Sequence, residues 1–449
     1  MAMSKSLKRT TYACESCGAI TSSWAGRCPQ CGEWNTLQIQ INDQSGSRAN
    51  PALRLETETL LEGQKLAEKR FSSRLDGVDP VFGGGIVEGS VNLLSGEPGM
   101  GKSTLLLQLA GAVSAGAEVL YVSGEESMHQ ISSRAKRLGI NEAKLHVAAS
   151  NSADAIADEI QSGKYKLVVV DSIQTLRCEQ IAAAAGSVSQ VTNSCTLLTG
   201  AAKRSNTALI IVGHVTKDGS IAGPKLLEHA VDAVLSLEGD PSAGLKLLRV
   251  SKNRFGSTNE TAIFEMYASG LKLVENPSAL LLAERQVSDG SIVLAAIEGS
   301  RPILVEVQAL VNPTSYGYPK RAASGLELGR LNLLIAMLER RTSLKLGDKD
   351  IYVNIVGGIK ISEPAADLAV VMAIASAAKG KQLKDNAVVF GEVGLSGEIR
   401  HVSAIAKRLS EAKHLGFAYA IGPKPLGSKA PAFLKPARDV RSALNSFLS

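Results

Sequence analysis

The sequence predicts an α/β protein in three parts. A small cysteine-rich module spans residues 1–35, a core with a parallel-rich central sheet spans 71–275, and an α+β domain spans 285–449, with a polar linker at 36–70. Three observations predict this. Four cysteines fall in two Cys-x2-Cys pairs near the start, and a glycine-rich loop ending in Gly-Lys-Ser stands between a short apolar run and a helix-period segment. Continuous apolar runs at 167–170 and 208–212 have the character of strands covered on both faces. At roughly 100–200 residues per domain, 449 residues make two or three domains.

Apolar residues make up 45% and charged residues 20%, which excludes collagen-like, coiled-coil and largely disordered chains. Aromatics are only 4%, so the cores must be mostly aliphatic. No apolar run approaches the ~18 residues of a membrane span. The basic start MAMSKSLKRT leads into no apolar segment of the kind a secretory leader carries, so a cytoplasmic protein without membrane contact is expected. The net charge of +6 permits nucleic-acid binding without establishing it.

In the first module, Cys14, Cys17, Cys28 and Cys31 form two knuckles, and Gly18 and Gly32 follow the second cysteine of each. Each knuckle needs a tight turn so that both thiolates face one ion, and glycine permits it. Four thiolates at ~2.3 Å close a tetrahedral zinc site with no open position, so the zinc is structural and supplies folding free energy that so short a segment lacks. Trp24, Arg27 and Trp34, with Lys5, Lys8 and Arg9, either touch nucleic acid or a partner protein, or the tryptophans simply pack the module. Cys178 and Cys195 lie far away and read as small packing residues.

The core alternates strands at 91–94, 119–122, 167–170 and 208–212 with helices at 103–114 and after Gln190, then short strands near 234–237 and 246–250. Gly96, Glu97, Pro98, Gly99, Met100, Gly101, Lys102, Ser103 and Thr104 match the phosphate-binding loop Gly-x4-Gly-Lys-[Ser/Thr]. Backbone N–H groups wrap the phosphates of ATP or ADP, Lys102 reaches the β/γ oxygens, and Ser103 is placed for Mg²⁺. Asp171, at the carboxyl end of the 167–170 run, is expected beside this loop as a second Mg²⁺ residue. Ser172 follows it, so the water-activating carboxylate must come from elsewhere. The 119–122 strand delivers Glu125 to the same sheet edge as general base, with Glu126 as the alternate.

In the last part, 291–297 and 303–311 read as paired strands, followed by a helix at 326–341, a strand at 350–355, a helix at 365–378, a strand at 388–392 and a helix at 402–415.

The run Leu75-Asp76-Gly77, then Gly83-Gly84-Gly85-Ile86 and the phosphate loop, resembles the entry to RecA/KaiC-type ATPase cores. With the four-cysteine module, the pentapeptide Lys252-Asn253-Arg254-Phe255-Gly256 makes the whole chain resemble the bacterial RadA (Sms) family of DNA repair proteins. The resemblance implies a RecA-like P-loop core, an N-terminal zinc ribbon and a C-terminal Lon-protease-like domain. It implies a DNA-stimulated, helicase-like ATPase, nucleoid-associated in bacteria, forming a hexameric ring. Its partners would be single-stranded and branched DNA and RecA recombinase, with which it promotes branch migration. By the same resemblance Lys252 and Arg254 reach a neighbour's γ-phosphate, and His214 stands where the class keeps a γ-phosphate sensor. Lys217 and Lys225, and more weakly Lys203 and Arg204, would contact DNA phosphates.

The Lon resemblance rests on residues 351–361, 365–378 and 389–399. Lon-type proteolysis needs a Ser nucleophile beside a Lys base, yet Ala365 stands at the nucleophile's place and Ala406 at the base's, with Lys407 one residue on. No protease is expected, and the domain is left as a ring platform with Arg301, Lys320, Arg321, Lys345 or Lys360 as candidate DNA-facing cations. An alternative is a KaiC-like nucleotide switch or zinc-ribbon adaptor that does not translocate.

Overall fold

The computed structural model describes residues 10–41, 68–214, 224–239, 244–315, 317–383, 386–427 and 429–448. Lys5, Lys8, Arg9, Lys217, the side chain of Lys225 and most of the 36–70 linker lie outside them. The first module is a three-stranded ribbon of β1 (Thr10–Cys14), β2 (Ile20–Thr21) and β3 (Leu37–Ile41) in the order β2-β1-β3. Because β3 pairs antiparallel with β1 along its whole length, the ribbon continues past residue 35 to Ile41.

A short ladder, β4 (Arg70–Phe71) with β5 (Ile86–Val87), leads into the main sheet. Its strands are β6 (Val91–Gly96), β7 (Val119–Ser123), β8 (Leu145–Ala149), β9 (Leu167–Asp171), β10 (Ala208–His214), β11 (Ala233–Glu238), β12 (Leu245–Asn253), β13 (Thr261–Tyr267) and β14 (Gly270–Leu273). Among the described residues their order is β14-β13-β12-β11-β6-β10-β9-β7-β8. The sheet is parallel from β11 to β8, and β12 to β14 add an antiparallel meander.

The unbroken apolar runs follow from two buried faces. Leu167 and Val169 pack with the helices Lys102–Ser114 and Met128–Arg137 on one side, while Val168 and Val170 pack with Ala153–Gln161 and Val188–Ser205 on the other. Alternate side chains of a strand point to opposite faces, so a strand covered twice needs no polar positions. Ser127, Ser152 and Ser187 cap three of these helices, each accepting a hydrogen bond from the backbone N–H three residues on. Cys178 and Cys195 are buried in the second of these cores, as packing residues.

The C-terminal sheet contains β15 (Ser291–Glu298), β16 (Arg301–Pro313), β17 (Arg321–Ser324), β18 (Lys349–Ile355) and β19 (Ala387–Val389). After a side ladder of β20 (Glu392–Val393) and β21 (Ile399–Arg400) come β22 (Tyr419–Gly422) and β23 (Leu434–Pro436). The order is β17-β18-β16-β15-β19-β22-β23. The helix Asp367–Lys379 is buried along most of its length and forms the middle of this core. Leu245, Leu247 and Ile263 of the main sheet turn into the same core, so the two domains share an apolar boundary. No helix among the described residues is long and apolar enough to cross a membrane.

Several expected positions shift at the old Lon-like centre. The segment expected as helix from 365 starts as a 3-10 turn, Pro364–Ala366, with Ala365 buried and its carbonyl accepting from Gly391 N–H at 2.8 Å. The last long helix begins only at Ile405. Ala406 and Lys407 are exposed on it, and Lys407 Nζ reaches the Ser300 carbonyl. The side chain that turns inward is Arg408, fully buried, which forks onto both oxygens of Glu363 (2.6 and 3.0 Å). It also donates to the Ala295 carbonyl, while Glu363 accepts from Ile297 N–H. Burial of positions 408, 409 and 412 explains the difference, since these share the core-facing stripe of the helix.

Removing one partner of a buried ion pair leaves an uncompensated charge. Glu363→Ala should cost about 3–5 kcal/mol and Glu363→Gln less. Urea denaturation followed by a probe in the C-terminal domain checks both.

Candidate functional site

The carboxyl edge of the parallel strands gathers the candidate chemistry. The loop after β6 turns into the helix Lys102–Ser114 through Gly101, whose φ is +96°. A Cβ at Gly96 would lie 2.5 Å from the Leu237 carbonyl oxygen, so only glycine fits there. Glu97, Pro98 and Gly99 are exposed, Met100 is buried as the loop's anchor, and Ser103 and Thr104 are half-buried in the first helical turn. Lys102 is buried and its Nζ donates to the Gly96 and Glu97 carbonyls, both at 2.9 Å. Burial pushes its pKa below the usual lysine range, while the carboxylates of Asp171 and Glu125 oppose that shift. A buried ammonium over a glycine-rich loop at a helix N-terminus suits a polyphosphate.

Asp171 is not on the strand adjacent to the loop. β10 intervenes between β6 and β9, and in its register His214 stands opposite Gly96. The Asp171 carboxylate is buried and accepts from the Tyr121 hydroxyl at 2.7 Å, which raises the tyrosine's pKa further beyond its burial. β7 runs beside β9 with Ser123 level with Asp171, and this brings Glu125 to the same edge. Glu125 Oε1 accepts from the Ser172 hydroxyl at 2.7 Å and lies 3.4 Å from His214 Nε2. Glu126 is instead held by Arg134 in the following helix. Gln174 donates to the His214 carbonyl at 3.4 Å, while His214 Nδ1 and Gln174 Oε1 are buried without hydrogen-bond partners among the described residues.

Ser172, Gln174 and Arg134 escaped the sequence reading. In the sequence Ser172 marked only the place where a glutamate is missing; its bond to Glu125 depends on the pairing of β7 with β9.

Lys252 and Arg254 lie elsewhere. β12 runs antiparallel to β11, so its end, Asn253, pairs with Ala233, and Ala233 pairs with Asn92 near the start of β6. The pentapeptide is therefore at the sheet edge opposite its own phosphate loop. Lys252 Nζ donates to the Glu228 and Val231 carbonyls (2.6 and 2.7 Å), and Arg254 donates to Asp232 at 3.1 Å. Arg70 bonds the Gly83 and Phe255 carbonyls, and a Cβ on Gly256 would lie 3.0 Å from Gly83 Cα. The triple-glycine run and the pentapeptide are thus one packed unit. Lys203 is paired with Asp232 at 3.2 Å, and Arg204 is exposed on the same helix end.

Among the C-terminal cations, Lys360 lines a cavity of about 390 Å³ together with Gly96, Glu97 and Arg249, next to the phosphate loop. Arg301 donates to the Glu275 carbonyl, and Lys345 is exposed. The backbone N–H of Lys320 donates to Asp350, and Arg321 Nε is buried without a partner among the described residues.

In the ribbon, all four cysteine sulfurs lie within 4.8 Å of one another, with Cys14–Cys31 at 3.7 Å and Cys17–Cys28 at 3.6 Å. Four sulfurs ~2.3 Å from one zinc would stand about 3.8 Å apart, so the donor set fits that ion. Gly18 and Gly32, at positive φ, return their N–H groups to the Cys14 and Cys28 carbonyls. Trp24 and Trp34 do not pack the ribbon core, being 59% and 70% exposed, and Arg27 stacks on Trp34.

Three family models match the chain: an AAA domain over residues 56–220, a rubredoxin metal-binding domain over 12–38, and the ChlI subunit of magnesium chelatase over 334–425. The DNA repair protein RadA of Aquifex aeolicus is 46% identical, covering 93% of this chain and 94% of its own length. That of Bacillus subtilis is 44% identical over 97% and 99%, and that of Pseudomonas aeruginosa 44% over 94% and 95%. Solved structures of the RadB recombinase and of a KaiC-like protein from Pyrococcus horikoshii align with 45% and 46% of this chain and with 99% and 100% of theirs. Their identities are 22% and 21%, with TM-scores of 0.37 and 0.39.

Chelation of the metal should unfold the ribbon, because its core among the described residues is little more than Cys14, Cys28 and Leu37. Amide exchange over residues 10–41 should accelerate on zinc removal or in Cys28→Ser, while nucleotide binding at the phosphate loop stays unchanged.

Proposed function

This chain belongs to the RadA family of DNA repair proteins, with a RecA-like ATPase core between a zinc ribbon and a Lon-like domain, and we propose that it is a DNA-dependent, helicase-like ATPase assembled as a ring. The observation that carries the reading is the separation within one subunit of the phosphate loop from Lys252 and Arg254, at opposite edges of the same sheet. Two cations that cannot approach their own nucleotide suit the γ-phosphate bound by a neighbour, where they would meet the charge that spreads over the transferring phosphoryl group. Head-to-tail contacts of this kind close into rings, and a hexamer is the assembly proposed.

Within each site Glu125 acts as general base on the attacking water. The Ser172 hydroxyl orients its carboxylate, and His214, opposite Gly96, senses whether the γ-phosphate is present. Arg134 keeps Glu126 out of that role. Mg²⁺, held through Ser103 and the waters around Asp171, would neutralise charge on the β and γ oxygens. Lys102 leaves the two carbonyls it holds and turns to those oxygens.

The segment after His214, with Lys217 and Lys225, is proposed to meet the DNA backbone. Arg204 remains a weaker candidate, and Lys203 is assigned below to a different task. Single-stranded and branched DNA are the proposed substrates, branch migration alongside RecA recombinase the proposed role, and the bacterial cytoplasm, at the nucleoid, the proposed location. No peptide hydrolysis is expected. Ala365 offers no nucleophile, and the residue reaching its neighbourhood, Arg408, is bound to Glu363.

Glu125→Gln should lower the turnover number for ATP by 10²–10⁴-fold, on the scale of a lost general base, while nucleotide affinity is kept. Single-stranded DNA should raise wild-type turnover and leave Lys102→Ala inactive; equal turnover with and without DNA overturns the proposal. Mixing Lys102→Ala with Arg254→Ala subunits should restore about a quarter of wild-type activity, since a quarter of random head-to-tail contacts pair an intact loop with an intact finger. An inactive mixture of subunits that demonstrably co-assemble would count against action in trans.

A further inference from the structure

We propose that Asp232 is the positioning residue for Arg254 and that Lys203 balances its charge, an inference that rests on Arg254 acting on a neighbour's nucleotide. Asp232 is 3% exposed, at the turn into β11. Its Oδ2 accepts from Val91 N–H at 3.0 Å, while its own N–H donates to the Val91 carbonyl at 2.8 Å. The carboxylate is therefore tied to the start of the phosphate-loop strand and cannot swing. Its other oxygen, Oδ1, accepts from Arg254 at 3.1 Å and from Lys203 at 3.2 Å. The Arg254 backbone N–H also donates to the Asp232 carbonyl at 3.1 Å.

Side chain and main chain of Arg254 are thus both fixed from one residue. The bond to Asp232 engages a single terminal nitrogen. Arg254 remains 54% exposed, and no described contact engages its other side-chain nitrogens. A guanidinium held by one corner presents its remaining donors in a set direction, and that lowers the entropy lost when it meets a phosphate. Lys252 is held by the carbonyls of Glu228 and Val231, so residues 228–232 orient both cations.

Two cations share the single oxygen of a buried carboxylate, which explains the presence of Lys203. With Lys203 in place, Asp232 is neutralised without drawing the whole charge of Arg254, and the arginine's field stays available to an incoming phosphate. The sequence reading made Lys203 a DNA contact; its pairing assigns it to the finger instead.

Asp232→Asn keeps an oxygen for Val91 N–H and removes the charge that holds Arg254. With saturating single-stranded DNA, the turnover number should fall by about tenfold while KM for ATP changes less than twofold, as for a group acting only in the transition state. In an Arg254→Ala background the same change should have no further effect. Lys203→Met should lower turnover severalfold without altering DNA affinity or its salt dependence. It covers the case in which Asp232→Asn does not fold. Additive losses in the double variant, or a Lys203→Met protein whose defect is in DNA affinity, overturn the assignment to Asp232 and Lys203 and leave the trans reading standing. Unchanged turnover in Arg254→Ala alone would remove the trans reading itself, and this inference with it.

Discussion

Strand direction is the constraint on which the arrangement of this molecule depends. In a parallel sheet every strand ends at the same edge, so the phosphate loop, Asp171, Glu125 and His214 collect there although they come from four separate stretches of chain. The turn into β12 reverses the chain and carries Lys252 and Arg254 to the opposite edge. A single subunit therefore carries its phosphate loop and the Lys252–Arg254 segment at opposite edges of one sheet. The small run Gly83–Gly85 takes part in the same design: it lies against Gly256 and, through Arg70, braces the loop that presents the cations.

A second constraint links the two large domains. Arg249, on β12, pairs with Glu238 at 3.0 Å and with Glu298 of the C-terminal sheet at 2.8 Å. It also reaches the Lys360 carbonyl. Glu298 is largely desolvated, which raises its pKa; Arg249 opposes the rise, and the nearby carboxylates of Glu238 and Glu363 add to it. One face of β12 lies in the ATPase core, through Leu248 and Val250, and the other in the C-terminal core, through Leu245 and Leu247. The cavity beside Gly96 is walled partly by Gly358, Ile359 and Lys360, so the C-terminal domain borders the nucleotide loop directly. In that domain Arg408 and Glu363 form a doubly hydrogen-bonded ion pair. Arg330 and Asp367 form another beside it. Removing one partner of such a pair leaves an uncompensated buried charge, so each resists single substitution.

Much of this was legible in the sequence because the signals are local. The phosphate loop, the two cysteine knuckles and the apolar strands each depend on a few neighbouring residues whose backbone geometry and burial leave little choice. What the sequence left open depended on register between distant segments. Asp171 stands at the same edge as the loop, as expected, and its charge acts on Lys102, but β10 lies between their strands, because strand order in a doubly wound sheet does not follow chain order. The helix expected over 402–415 runs over Ile405–His414, and the base position expected at Ala406, with Lys407 one residue on, lies on its exposed side while Arg408 turns inward. Lys203, a weak candidate for a DNA contact in the sequence, pairs with Asp232, which lies 29 residues away.

The sequence by itself determined the kinds of chemistry present: a phosphate cradle, its acids, a four-thiolate metal site and a protease-like domain with alanine where a nucleophile would stand. Short-range sterics and ligand spacing suffice for the cradle, its acids and the metal site, each settled within a handful of residues, while the protease-like domain and its alanine are what the family resemblance implies. Only the tertiary structure decided which groups meet: Glu125 with Ser172 and His214, Glu126 with Arg134, and Arg254 with Asp232 and Lys203. Those meetings depend on strand order, on strand direction and on which helix face is buried, and these are properties of the whole packed sheet that no local stretch of residues encodes.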